Sequence, residues 1–456
     1  MSHSRLSMPR VLFGVAAALL FLSPIVGAQT TAITGGTLLP IDAPAIEGGV
    51  MLVEGGKITA IGAADAVKVP AGAVVVDATG KVVMPGLVDT HSHIGGIGAA
   101  DSSGPLQPGV RVYDSINVRS SGFRRALAGG LTSLNIMPGS GHLSSGQTVY
   151  VKLRYGDSTP RTIDAITYRF PDGAPMGGLK MANGTNSIRN EGKGGFPGTR
   201  GKSAFLVRSL FIQAQEYRAK IERAVDEDGN PDESKLPDRN LHLETLLEVL
   251  DGKRIVHHHT HRHDDILTVL RLAEEFGFRV VLHHVSEGWR VADEIAAAKV
   301  PCSAILVDSP GGKLEALNLV MECGGILEKA GVRTAFHTDD WITDSRLFFR
   351  SAALAVRAGM TRQGALESLT LAGAEMMDLQ DRVGSLTPGK DADFIILSGD
   401  PLSVYTRVEE TWVEGEKVFD LSDPKDQLYA EGGYGAGEEI SPYFCCYDHL
   451  MKKEAN

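Results

Sequence analysis

Residues 84–93 constrain the fold more than any other stretch, because an apolar strand ends there in a His-x-His pair. Leu87 and Val88 predict a buried strand, and side chains two residues apart on a strand point to the same face. His91 and His93 therefore project side by side from the strand end, where two imidazoles can bind one metal ion. The sequence thus predicts a metal site at the end of a buried strand.

Four later strand-like segments also end in groups that bind metal ions, either directly or after modification. These groups are Lys180, the histidine run 257–261, the pair His283 and His284, and Asp339. Alternation along 254–259 places His257 and His259 on one face, so alternation alone leaves either as the ligand. Along 280–284 it places His284 on the face opposite His283. One histidine alone is more often a hydrogen-bonded core residue, but five such strand ends together favour a metal centre.

The middle of the chain alternates strand-like segments with helical patterns. Residues 264–276 predict an amphipathic helix, and similar alternations recur between residues 86 and 379. They favour an α/β fold, a (β/α)8 TIM barrel, over an open sheet. The active site of such a barrel lies at the carboxyl ends of the strands, where every candidate ligand here falls.

The sequence pattern at both ends of the chain differs from that of the middle, because short strand-like segments are separated by glycine and proline. We expect them to form one small β-sandwich domain around the barrel. The predicted division is a signal peptide at 1–28, β-sandwich parts at 29–85 and 381–420, the barrel at 86–380 and a C-terminal extension at 421–456.

The first residues predict export. Arg5 and Arg10 precede an apolar run at 11–22, and small residues follow at 26–28. The run is short for a membrane span, so we expect cleavage and a periplasmic or secreted protein, with a retained anchor as the alternative.

Composition narrows the choice of partners. The net charge of −11 becomes more negative without residues 1–28, which carry two basic and no acidic side chains. This argues against nucleic acid or an anionic membrane as a partner. We expect a small-molecule or dipeptide substrate. A homo-oligomer remains open. The cysteines show no disulfide framework, and their pairing is open for Cys302, Cys323, Cys445 and Cys446.

The chain resembles the amidohydrolase superfamily, most closely its imidazolonepropionase-like branch, which also contains metal-dependent dipeptidases. His-Ser-His at 91–93 and Gly-Ser-Leu-Thr-Pro-Gly-Lys-Asp-Ala-Asp at 384–393 are highly specific as a pair. The resemblance extends over residues 31–420, and the stretches that carry it are 83–93, 178–184, 259–266, 281–284, 337–340 and 384–394.

This resemblance implies a set of metal ligands, namely His91, His93, Lys180, His259, His284 and Asp339. Imidazole and carboxylate suit divalent ions, and we expect two Zn²⁺ per chain. An ammonium cannot bind a metal ion, so Lys180 serves only if CO₂ converts it to an anionic carbamate that bridges two ions. An unmodified lysine beside a single ion is the alternative.

The implied reaction is cleavage of an amide, peptide or cyclic amide bond by a metal-activated hydroxide. Asp339 would take the proton and deliver it to the leaving nitrogen, and we expect Asp339 and His284 to be catalytic. A deaminase of the same superfamily with one metal ion is the first alternative. A non-catalytic binding or assembly protein on the same scaffold is the second.

Three further residues are candidates for substrate binding. His142 follows strand two and could hydrogen-bond the substrate carbonyl, although it could equally be a solvated loop residue. His261 and Arg262 could bind a substrate carboxylate, which favours a dipeptide or an N-acyl amino acid, but Arg262 could also cap a helix or pair with Asp265. His337 shares the parity of Asp339 and is predicted to lie deeper, as a core residue.

Overall fold

The computed structural model describes residues 29–97, 101, 103–156, 158–188, 195–226, 228–306, 313–340 and 342–432. The predicted signal peptide and most of the predicted C-terminal extension, with Cys445 and Cys446, lie outside this part of the chain. Within it, Cys302 and Cys323 are buried free thiols. No helix among these residues is both long and apolar enough to cross a membrane.

Short strands and helices alternate along the chain. The strands are β1 (Thr31–Thr34), β2 (Thr37–Leu38), β3 (Val50–Glu54), β4 (Lys57–Gly62), β5 (Val74–Asp77), β6 (Val82–Pro85), β7 (Leu87–Ser92), β8 (Leu131–Ile136), β9 (Ser144–Gln147), β10 (Val149–Lys152), β11 (Leu179–Ala182), β12 (Val256–Thr260), β13 (Val280–His284), β14 (Cys302–Ala304), β15 (Thr334–Phe336), β16 (Phe394–Leu397), β17 (Val408–Val413) and β18 (Glu416–Asp420). The helices are α1 (Ser121–Ala128), α2 (Arg200–Arg223), α3 (Leu241–Leu250), α4 (His263–Phe276), α5 (Ala292–Ala297), α6 (Cys323–Lys329), α7 (Phe348–Arg357), α8 (Arg362–Glu367), α9 (Leu371–Glu375) and α10 (Pro424–Glu431).

The terminal strands form two sheets that join both ends of the chain. One sheet has the order β4-β3-β1-β5 and the other β18-β17-β16-β6-β2. Ile33 and Met51 of the first sheet pack in one hydrophobic cluster with Phe394 and Trp412 of the second. N-terminal and C-terminal segments thus share a core, as the strand-like texture of both ends predicts, and a closed β-sandwich remains a prediction.

The parallel strands lie in the middle of the chain. Strands β11 to β15 are parallel neighbours in one sheet, and β7 pairs in parallel with β8 in another. Antiparallel β10 and β9 flank β8 and β11, and a parallel bridge from Ser92 to Asp340 links the two sheets. The fold is therefore mixed α/β. Hydrogen bonding among the described residues does not close these strands into one ring, so the TIM barrel remains a prediction.

Helix α4 shows how the sequence pattern becomes structure. It covers the predicted amphipathic segment, and Ile266, Val269 and Leu272 are buried on one face. It ends at Gly277, whose φ of 71° is the left-handed conformation that glycine adopts at little cost. The helix begins directly after β12, and so lies next to the histidine run.

Gly86 separates the terminal sheets from the middle of the chain. It lies between β6, which pairs with β16, and β7, which pairs with β8. A Cβ atom at this position would lie 2.3 Å from side-chain atoms of Thr132, so only glycine allows the close approach of β7 and β8. This contact fixes the start of β7, the strand that carries His91.

The aspartates of the 384–393 motif have a structural task. The buried Lys152 of β10 places its Nζ 2.5 Å from Asp391 Oδ2 and 2.9 Å from Asp393 Oδ2. Both aspartates precede β16, so this ion-pair cluster ties a C-terminal strand to the middle of the chain. The motif therefore supports the scaffold, and its two aspartates pair with Lys152.

Candidate metal centre

His91, His93 and Asp339 bring three ligand atoms together. His91 Nε2 lies 3.2 Å from His93 Nε2, and Asp339 Oδ1 lies 3.4 Å and 3.0 Å from these two nitrogens. A triangle with edges of this length fits one ion bound about 2 Å from each atom, as in zinc sites. All three side chains are buried. The geometry and the donor types therefore suit a divalent cation.

The backbone holds this triangle in place. His91 belongs to β7, and the backbone N–H of Asp339 donates to the His91 carbonyl oxygen at 2.9 Å. The buried Asp89 carboxylate accepts hydrogen bonds from the N–H groups of His91 and Thr338. Asp339 itself has a φ of 48°, which turns its side chain towards the end of β7. The residues after β15 are thereby fixed against the His-x-His strand.

A second group consists of His259, His261 and His284. One nitrogen from each ring lies within 4.8 Å of the others, and all three rings are buried. His259 Nδ1 and His284 Nε2 have no hydrogen-bond partner among the described residues. A buried polar atom without a partner is costly, and a cation bound at either nitrogen would offset that cost. His284 also belongs to a group with His91 and Asp339, so the two sites adjoin.

The consecutive histidines at the end of β13 both reach the centre. The ring centroids of His283 and His284 lie 5.0 Å and 4.9 Å from that of His91. Strict alternation would send one of them to the other face, but His284 has a φ of 70° that turns the chain there. His283 is thus the inward residue of the regular strand, and His284 enters the site through the turn.

Lys180 also reaches the first group. Its Nζ lies 3.2 Å from His91 Nε2 and 3.1 Å from Met137 Sδ, and the side chain is fully buried. Lys180 lies on β11, and its neighbour on the adjacent parallel strand β12 is His257. The structure therefore brings together every ligand that the resemblance implies.

Electrostatics favour the protonation states that bind cations. Burial, followed by the positive charge of Lys180, lowers the pKa of His91 well below its ordinary value. Burial likewise lowers the pKa values of His259 and His284. Burial raises the pKa of Asp339, but the hydrogen bond and charge of His93 outweigh it, and the net pKa is lowered. These shifts favour the neutral forms of His91, His259 and His284 and the ionised form of Asp339 near neutral pH.

Of the substrate-binding candidates, only His261 lies among the metal-competent groups. Its Nδ1 lies 2.7 Å from Ser286 Oγ, which leaves Nε2 to face the site. His142 is buried and packs against Phe196 at a centroid distance of 5.3 Å, which does not fit the alternative of a solvated loop residue. The N-cap residue of α4 is Arg262, whose guanidinium pairs with Asp264 rather than Asp265.

Other residues at the centre were not singled out from the sequence. Lys313 places its Nζ 3.1 Å from His261 Nε2 and 3.5 Å from His259 Nε2. No motif surrounds Lys313, so its position comes from folding alone. His337 is buried as expected, and its Nε2 lies 3.2 Å from His284 Nδ1, where it orients that ring.

The comparisons with known proteins agree with this geometry. A model of the amidohydrolase family matches residues 192–419, which is half of the chain. A solved amidohydrolase from Thermotoga maritima MSB8 is 34% identical, covers 86% of this chain and 100% of its own, and superposes with a TM-score of 0.78.

Two curated relatives align over most of the chain. Amidohydrolase tasK of Hapsidospora irregularis is 27% identical over 82% of this chain, but the alignment covers only 40% of that longer protein. An imidazolonepropionase of Deinococcus radiodurans is 26% identical over 78% of this chain and 86% of its own.

The fold carries buried groups of histidine and aspartate that could each hold a divalent cation. The chain belongs to the amidohydrolase family, in the imidazolonepropionase-like branch of its superfamily.

Proposed function

We propose that the protein hydrolyses an amide, peptide or cyclic amide bond with two Zn²⁺ ions bound per chain. The observation that carries this proposal is the triangle of His91, His93 and Asp339 beside a second group of three histidines. The first ion would be held by that triangle, and the second by His259 and His284. Such ions supply a Lewis acid and lower the pKa of water to about 7.

Asp339 has the position and charge of the proton carrier. Its Oδ1 faces the two histidines of β7, whereas its Oδ2 lies 3.9 Å from His284 Nδ1. The ionised carboxylate can accept a proton from the attacking water and return it to the leaving nitrogen. His284 thus lies on the Oδ2 side of the carboxyl, and its Nδ1 also lies 3.2 Å from His337 Nε2.

The charge of Lys180 favours a carbamate. As an ammonium it lies 3.2 Å from a ligand nitrogen, where it would repel a divalent ion. Once Lys180 has lost a proton, its neutral amine can add to CO₂ and release a second proton to solvent, which leaves an anionic carbamate with two oxygen ligands. Carboxylation of Lys180 would therefore replace the repulsion of a divalent ion near His91 by attraction.

We expect Lys180→Ala to bind the second metal ion at least about tenfold more weakly than the wild type, so that this ion is lost on purification. The carbamate bridge would be missing, while His91, His93 and Asp339 would keep the first ion. Metal content measured by atomic emission should fall from two ions per chain towards one. Acetate, which can fill the place of the carbamate, should restore it. Two tightly bound ions in Lys180→Ala without acetate would contradict the carbamate.

The substrate we propose is a dipeptide or an N-acyl amino acid. Lys313 supports this choice, because its ammonium faces His261 and His259 and is only 13% exposed. An ammonium here would repel an ion at His259 unless an anion lay beside it. The carboxylate of a substrate whose scissile carbonyl lies at the metal ions could supply that anion.

A hydrolysis screen with dipeptides, N-acyl amino acids and cyclic imides tests the proposed function. We expect cleavage of a member with a free carboxylate, loss of activity after treatment with a chelator, and recovery on addition of Zn²⁺. Lys313→Met should raise KM for that member and leave the thermal transition unchanged.

The outcomes separate the alternatives. Release of ammonia with one bound ion and an unmodified Lys180 would favour a deaminase. A metal-loaded protein inert towards the whole screen would favour a binding or assembly protein. The predicted signal peptide lies outside the described residues, and we propose an exported enzyme on the sequence alone.

A further inference from the structure

A series of buried hydrogen-bonding rings leads away from the metal centre. His91 Nδ1 lies 3.3 Å from His283 Nδ1, His283 Nε2 lies 2.9 Å from His257 Nδ1, and His257 Nε2 lies 2.8 Å from Tyr150 Oη. We call His91, His283, His257 and Tyr150 the histidine series. Each member is at most 1% exposed.

The members come from four strands that meet at the interior of the fold. His91 is on β7, His283 on β13, His257 on β12 and Tyr150 on β10. His257 and His283 are inward residues of regular strands and lie below His259 and His284, the ligands at the strand ends. The series therefore continues from the ligand His91 into the core, and the ring of His337 packs beside His91 and His283.

Each contact of the series joins two polar atoms at hydrogen-bond distance, so one atom of each pair must donate and the other must accept. A neutral imidazole has one N–H donor and one acceptor nitrogen. Two facing nitrogens can therefore form a hydrogen bond only when one is protonated and the other is not.

The protons of the series must all point in one direction. If His91 offers Nε2 to a metal ion, its proton is on Nδ1 and is donated to His283 Nδ1. His283 then carries its proton on Nε2 and donates it to His257 Nδ1. His257 in turn donates from Nε2 to the Tyr150 oxygen. In the opposite direction Tyr150 donates, and the last proton falls on His91 Nε2, where it blocks the metal ion.

We propose that His283 positions the metal ligand His91 by accepting its Nδ1 proton, and that His257 and Tyr150 hold His283 in the tautomer able to accept it. The inference rests on the proposed function, because it assumes that His91 Nε2 binds an ion. His283 touches no reacting atom in this scheme and is a positioning residue. Its loss should weaken metal binding through the ring of His91.

The tautomers can be read directly by NMR of the full chain with ¹⁵N-labelled histidine, whose ring nitrogens distinguish Nδ1–H from Nε2–H. In the Zn²⁺-loaded protein we expect His91 with the proton on Nδ1, and both His283 and His257 with the proton on Nε2. A proton on Nδ1 of His283 in the loaded protein would overturn the proposal. This measurement needs no variant to fold.

Three variants test the effect on affinity, measured as the dissociation constant for Zn²⁺ by competition with a chromophoric chelator. His283→Leu should bind Zn²⁺ about 10–100-fold more weakly, the usual effect of removing such a partner. His283→Asn, whose carbonyl oxygen takes the place of Nδ1, should recover most of the loss. The control is His258→Leu, because His258 is equally buried but bonds only the His259 carbonyl in the described structure.

The outcomes distinguish failure of the role proposed for His283 from failure of the proposed function. Equal affinities of His283→Leu and His258→Leu, in a chain whose wild type binds Zn²⁺, would overturn the role of His283 and leave the proposed function intact. A wild type that binds no Zn²⁺ would overturn both.

Discussion

Replacing Asp339 by asparagine should lower kcat/KM for the best substrate by about 10³-fold, within the range that general acid–base groups contribute. Asparagine keeps the shape and one oxygen, so the triangle with His91 and His93 can still form. It cannot accept a proton from water at neutral pH. The expected result is therefore an enzyme that retains fold and part of its metal but loses the chemical step.

The geometry provides a matched control for this variant. Asp340 is also buried, but its carboxylate accepts from the backbone N–H and hydroxyl of Ser345 rather than from the histidines. Burial raises the pKa of Asp340 to about 6. Asp340→Asn should cost less than about tenfold in activity, since only structural hydrogen bonds are lost. Steady-state kinetics at fixed Zn²⁺ would compare the two.

Two results would contradict the role of Asp339. Unchanged activity in Asp339→Asn would show that another group carries the proton. An equal loss in Asp339→Asn and Asp340→Asn would assign the effect to disturbance of the loop after β15. Metal content measured on the same samples separates loss of an ion from loss of the proton carrier.

Much of the centre could be predicted because strand alternation is a local property. His91 and His93 converge because they are two residues apart on β7, and His259 lies above His257 for the same reason. Lys180 and Asp339 were candidates because they follow strand-like segments, and the resemblance then implied that both are ligands and chose His259 over His257. The ligand set as a whole is brought together in the structure.

What could not be predicted depends on backbone turns and on contacts between distant strands. Alternation alone leaves only one of His283 and His284 facing inward, whereas the φ of 70° at His284 brings both to His91. Lys313 and Tyr150 have no sequence signature at all, because only folding places them beside histidines. The N-cap position of Arg262 depends on where α4 begins, and sequence patterns define such ends poorly.

Replacing Lys152 by methionine should lower the free energy of unfolding by about 3–5 kcal/mol, the usual cost of removing one partner from a buried ion pair. The Lys152 side chain is fully buried, and those of Asp391 and Asp393 are 2% exposed. Without the ammonium, two carboxylates would remain in the core without their shared cation. Urea unfolding followed by circular dichroism would measure the loss.

Lys57 supplies the control. Its Nζ lies 2.5 Å from the other oxygen of Asp391, but its side chain is 48% exposed. Exposed ion pairs contribute about 0–1 kcal/mol, so Lys57→Met should be nearly neutral. The contrast tests whether burial of the cation, and not its mere proximity to Asp391, makes the cluster important.

The pH dependence of the stability lost in Lys152→Met tests whether Lys152 stabilises the fold through its charge. Burial raises the pKa of Asp391, but Lys152 and its other partners outweigh this and lower it from 3.8 to about 2. A carboxyl whose pKa is lowered on folding adds stability above its unfolded pKa, and that stability is lost as the pH falls towards the folded value. The part of the Lys152→Met deficit that comes from Asp391 should therefore be full at neutral pH and narrow between about pH 4 and 2. A deficit that stayed constant over this window would mean that Lys152 stabilises the fold by packing alone. An equal loss in Lys57→Met would mean that proximity to Asp391, and not burial of the cation, makes the cluster important.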